Sequence, residues 1–229
     1  KNSIEKEVEF SAGDEIQGLF ISPQSAYLYY RFFSMLIFPI QTHTGIGFGT
    51  WDIRVNSGSS TAQDGTVYHY ARKAIDEAKK SLEYSTLFYS KNKNDIIINS
   101  LINATTLLAS KQSEYQNKLM LLAEILYPIA SEDIVDYKNL KELLKSIQFE
   151  KKKNLTLDID YLVISTQLEK ESFYITEGKK RGLSTQISKL LGVSRQSVEK
   201  AIKSGNIYEL RNITIAILKA IDNIQGENL

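Results

Sequence analysis

The chain opens on a period-2 pattern. In "EVEFS" (7–11) Val8 and Phe10 share one face, and "IQGLFIS" (16–22) reads as the return strand. Between them lies an Ala12-Gly13-Asp14-Glu15 corner, where Gly13 can take the angles a sharp turn needs. The period then lengthens to that of a helix. Tyr27, Tyr30, Phe33, Leu36 and Ile37 are helically spaced within 23–38, and Pro23 stands near the start, where proline is tolerated. "QTHTGIGFGTWDI" (41–53) predicts another strand. Its glycines at 45, 47 and 49 point to close approach by a ligand or another backbone, or to a bent strand. After a loop at 56–65, residues 66–82 form an amphipathic helix with Val67, Ala71, Ala74 and Ala78 on one stripe. A strand at 84–90 follows. This order predicts an α+β layering of sheet and helices; one more strand and helix in front would complete a ferredoxin-like βαββαβ unit.

The polar break "KNKND" (91–95) predicts a boundary, with an α+β domain over 1–93 and a helical region over 94–229. Ile97, Leu101, Ala104 and Leu108 share one helical face, "SEYQNKLMLLAEILYPI" (113–129) predicts a second helix, and 138–147 a third. Residues 150–156 predict a turn. Residues 157–175 fit helix or strand, and the expectation is helix.

Residues 183–205, "LSTQISKLLGVSRQSVEKAIKSG", carry a helix-turn-helix pattern. Ser184 is the expected cap of the first helix, with Ile187, Leu190 and Leu191 on its apolar face. Gly192 suits a left-handed helix end, Val193 is expected to be buried in the turn, and Ser194 caps the second helix. Val198, Ala201 and Ile202 face inward, and Gly205 ends the helix. Arg195, Gln196, Ser197, Lys200 and Lys203 are left outward. In the last segment Ile207, Leu210, Thr214, Ile217, Ile221 and Ile224 follow a heptad-like spacing. That seam favours a homodimer over cover from the chain's own helices.

Composition narrows the chemistry. The 229 residues hold no cysteine and two histidines, which excludes disulfides, thiol catalysis and multi-histidine or cysteine metal sites. No apolar run is long enough to span a membrane. A cytoplasmic location is expected, and the absence of an initiator Met at Lys1 suggests that the native N-terminus lies further upstream. The net charge is +1, but it is uneven. From Gly178 to Leu229 nine Lys or Arg oppose four Asp or Glu, a local +5 that leaves −4 elsewhere. Such a basic segment is the electrostatic footprint of DNA binding.

Three patches carry a resemblance. "SAGDEIQGLF" (11–20) resembles the carboxylate-bearing hairpin of the class III nucleotidyl cyclase and GGDEF fold, with Asp14 and Glu15 at the metal-binding positions. "THTGIGFG" (42–49) resembles the glycine-rich strand of those enzymes. "GTVYHYARKA" (65–74) resembles their segment bearing an Asn and a phosphate-stabilising Arg; Arg72 matches the Arg, whereas Tyr68 stands in place of the Asn. The first strand of that fold, with its second metal-binding Asp, has no counterpart. With the helix-turn-helix, the whole chain is similar to the SatD family of bacterial proteins. The resemblance implies a transcriptional regulator built on a cyclase-like domain.

The expected function is therefore a DNA-binding regulator whose cyclase-like domain does not catalyse. Arg195, Gln196, Ser197 and Lys200 are the expected contacts to double-stranded DNA, flanked by Gln186, Lys189 and Lys203 on phosphates. The alternative is a nucleotidyl cyclase, a nucleotide-polymerising enzyme or a nucleotide sensor. It would use Asp14 and Glu15 for metal and Arg72, Tyr68, Gly45 and Gly47 for nucleotide. No cofactor is expected; magnesium would enter only with a working cyclase-like site.

Overall fold

The computed structural model describes residues 3–55, 58–130, 162–163 and 173–227. Strands β1 (Ile4–Ala12) and β2 (Glu15–Phe20) form an antiparallel hairpin. Gly13 at its tip has φ +58°, the left-handed angle the corner demands. Helix α1 (Pro23–Ile37) starts on Pro23, and the Ser22 hydroxyl accepts the Ser25 amide. Strand β3 (Thr44–Gly47) leads through a single 3-10 turn at Ser60–Ala62 into α2 (Thr66–Lys80), and β4 (Thr86–Tyr89) pairs parallel with β3. The predicted element order holds, but the β3 strand is four residues long rather than thirteen. Among the described residues the strands pair two by two, β1–β2 and β3–β4, rather than in one continuous sheet.

Helices α3 (Asp95–Ser110) and α4 (Glu114–Leu126) follow. The α3 helix shields the β4 strand: the Asn99 amide oxygen accepts from Phe88 N–H at 2.7 Å while its nitrogen donates to Phe88 O at 2.9 Å. One side chain thus satisfies both backbone groups of a strand residue. A capping box of Ser113 and Gln116 starts α4. Short β5 (Ile129–Ala130) and β6 (Leu162–Val163) pair in parallel. The expected helix over 157–175 is thus wrong at Leu162–Val163, where β-branched Val163 and a paired backbone favour strand. The expected helix at 138–147 and turn at 150–156 lie outside the described residues. The chain ends in α5 (Leu183–Leu191), α6 (Arg195–Ser204) and α7 (Ile207–Glu227). The protein is a mixed α+β molecule, and none of its described helices is long and apolar enough to cross a membrane.

Two compact units divide the chain differently from the boundary expected at 93/94. One comprises residues 1–31, 41–106 and 217–229; the other comprises 32–40 and 107–216. The first buries Leu19, Tyr27, Ile46, Ala74, Ala78, Phe88, Ile98 and Ile102. Phe10 is 78% exposed, so the strand face assigned to it and Val8 is not a core face at that end. The second unit has a core of Leu119, Leu122, Ile125 and Leu126 from α4 packed with Leu183, Ile187, Val198, Ile202, Ile207 and Leu210. The α7 seam predicted for a homodimer is covered within the chain itself. Ile207, Leu210, Thr214, Ile217, Ile221 and Ile224 are all buried, so the alternative of intramolecular packing accounts for this helix.

Candidate functional site

The first candidate is the hairpin tip with α2. Arg72 and Lys79 lie two helical turns apart on one face of α2. Both reach Glu15. Arg72 Nη1 lies 3.2 Å from Glu15 Oε2, and Lys79 Nζ lies 2.9 Å from Oε1. The hydrogen bonds from Lys79 and then Arg72 hold the Glu15 carboxyl below its usual pKa. Two cations therefore engage both oxygens of the residue expected to bind metal. Asp14 beside it is exposed, and among the described residues no cluster of three His, Asp or Glu could hold a metal. Magnesium is held by one or two carboxylates together with waters and substrate phosphates, and Glu15, engaged by two cations, is not an open ligand for it.

Arg72, expected on nucleotide phosphate, pairs with Glu15 of the hairpin and not with Asp76, four residues on in its own helix. Lys79 was not foreseen, although its seven-residue spacing from Arg72 marks one face. Tyr68, one turn before Arg72, is half-buried, and burial pushes its hydroxyl pKa up. The glycines are explained by packing. A Cβ on Gly45 would stand 2.3 Å from Ala71 O, and one on Gly47 would stand 2.3 Å from Val67 O. On that side of β3 the close approach is made by the α2 backbone, not a ligand.

The second candidate is the α5–α6 corner. Gly192 has φ +65° and closes α5, its N–H reaching Ser188 O. The Ser194 hydroxyl caps α6 by accepting from Ser197 N–H at 3.1 Å. Val198 and Ile202 are buried, while Arg195, Gln196, Ser197, Lys200 and Lys203 are exposed, as is Lys189 on α5; Gln186 is half-buried. Two expectations are corrected. Val193 is 40% exposed, because the left-handed Gly192 turns the chain outward before α6. Ser184 does not cap α5, which starts one residue earlier after left-handed Gly182. It is buried instead, and its hydroxyl donates to Glu199 Oε1 at 3.2 Å.

The corner is held from behind by polar bonds to the α3–α4 turn. Gln112 Nε2 donates to Gly205 O at 2.6 Å and Gln116 Nε2 to Ser204 Oγ at 2.9 Å, which fixes the end of α6. Arg211, fully buried, binds the Glu124 carboxylate of α4, Tyr127 O at 2.7 Å and Gly178 O at 2.8 Å. Arg211 thus anchors the segment entering α5. It contributes to the sequence count of +5 but presents no charge to solvent. Nothing in its sequence neighbourhood marks it, because Glu124 is distant along the chain.

No curated protein matches this chain, and no solved structure does. A family model described as the SatD family matches residues 1–159, a span that holds the hairpin, the β3–β4 pair and α1–α4 and ends before α5. Since that match covers more than half of the chain, the protein belongs to the SatD family.

Proposed function

We propose that this chain is a cytoplasmic transcriptional regulator that binds double-stranded DNA through α5 and α6, arranged as a helix-turn-helix. The observation that carries this is the division of α6. Val198 and Ile202 bury one face in the core, and Arg195, Gln196, Ser197 and Lys200 stand exposed on its leading turns. Those residue types reach base edges and phosphates in the major groove. Lys189 and Lys203, also exposed, add flanking phosphate contacts, with Gln186 on the preceding helix. The bonds from Gln112 and Gln116 suit a reading helix, which needs a rigid support.

The N-terminal α+β part is a cyclase-like scaffold without catalysis. Support for this comes from Glu15, engaged by Arg72 and Lys79, and from glycines filled by α2. ATP or GTP with magnesium or manganese is expected to yield no cyclic product. A product that disappears in Asp14→Ala would overturn this part.

The test of DNA binding is fluorescence anisotropy of the full-length protein on labelled duplexes, its own promoter region included, over a range of salt. Affinity should fall steeply as salt rises, because phosphate neutralisation releases counterions. Gln196→Ala with Lys200→Ala should weaken it strongly. The absence of salt-sensitive affinity for any duplex would refute the proposal.

A further inference from the structure

We propose that Glu199 is a positioning residue that presents Arg195 to guanine, so that the preferred ligand of α6 is a duplex site with guanine opposite the start of that helix. This rests on the DNA-binding function proposed above. Arg195 is the first residue of α6, and its Nε donates to Glu199 Oε1 at 2.7 Å, one turn on. The same carboxylate oxygen accepts the Ser184 hydroxyl at 3.2 Å. Ser184 is buried and belongs to α5. Glu199 is therefore steadied from a second helix, and it steadies Arg195 in turn.

The edge of the guanidinium that is used matters. Nε is occupied, and no described residue binds Nη1 or Nη2. Those two nitrogens form a parallel donor pair. The major-groove edge of guanine offers two acceptors, O6 and N7, which such a pair matches bidentately. Adenine offers one acceptor and one donor there and does not match. An exposed ion pair within one helix contributes little to stability. Its consequence here is geometric: an arginine side chain with many rotamers is limited to those that keep Nε on Glu199, which leaves the two Nη groups unengaged. The hydrogen bonds from Arg195 and Ser184 also hold the Glu199 carboxyl below its usual pKa, so it stays ionised at neutral pH.

The experiment takes full-length wild type, Arg195→Ala, Glu199→Ala and Glu199→Gln through selection from randomised duplexes. Affinity for the selected site, for the same site with the guanine replaced, and for an unrelated duplex is then measured at one salt concentration. Wild type should select a guanine whose replacement weakens binding about tenfold or more. Arg195→Ala should lose that discrimination. Glu199→Ala should also lose most of it, while binding the unrelated duplex more tightly, because a negative charge has left the phosphate-facing surface. Glu199→Gln should retain most of the discrimination, since its amide oxygen still accepts from Nε. Unchanged guanine preference in Glu199→Ala would overturn the proposal, as would equal loss in Ala and Gln variants. A selected guanine that Arg195→Ala still discriminates would overturn it too. Wild type that binds duplexes in a salt-sensitive way without guanine preference would refute this assignment alone. Wild type that binds no duplex would refute the DNA-binding function, and this assignment with it.

Discussion

The hairpin–α2 region and the α5–α6 corner carry the same kinds of residue and use them in opposite ways. In the first, Arg72 and Lys79 close on Glu15, and the α2 backbone fills the space above Gly45 and Gly47. In the second, Lys189, Gln196, Lys200 and Lys203 remain exposed, and the polar bonds run behind the exposed face, through Gln112, Gln116 and Arg211. Arg195 lies between these cases, paired to Glu199 yet still open to solvent. A carboxylate brought to a cationic side chain takes up some of its donors, and those left over are what a ligand can use. A glycine is available when no backbone has already taken the space it leaves.

The contrast is tested most severely at Arg211. Arg211→Ala removes the buried guanidinium that binds Glu124, which costs about 3–5 kcal/mol, and it also takes a donor from the Tyr127 and Gly178 carbonyls. Urea unfolding should show that loss, and the DNA binding proposed above should weaken with it, because the segment entering α5 loses its anchor. Replacing Arg211 and Glu124 together by Met and Leu should recover much of the stability.

At Gly47→Ala a Cβ would press on the α2 backbone, and about 1–3 kcal/mol should be lost. If the glycine served a ligand instead, its unfolding midpoint would match wild type.

Glu15→Gln gives a smaller effect. Its two ion pairs contribute about 1 kcal/mol or less together, since they are partly solvated. The sign follows from the lowered carboxyl pKa. The contribution is complete above the ordinary glutamate range and is lost as pH falls through the lower folded-state value. Urea midpoints of wild type and Glu15→Gln should therefore converge in acid and separate towards neutral pH. A constant gap would show that the ion pairs are not its source.

The smallest change in stability belongs to Gln196→Ala and Lys200→Ala, within about 0.5 kcal/mol, because neither side chain is part of the core. A stability loss well above that would assign them a packing role and weaken the case for a free reading face.

Local pattern by itself determined the element order from β1 to β4, the helices at 95–110 and 114–126, and the α5–α6 pair with Gly192 and Ser194 at its corner. Periodicity, glycine angles and caps act within a few residues, so they are written along the chain. Tertiary structure alone decided how Arg72 and Arg211 are paired. The partner of Arg72 is Glu15 on the hairpin, and Arg211 binds Glu124, 87 residues away along the chain. It also decided that β3 is short, that Leu162–Val163 is a strand, and that the apolar seam of α7 is covered within the chain. Each of these depends on which distant surface is brought alongside, and the energy of an ion pair or a buried face is realised only after that approach.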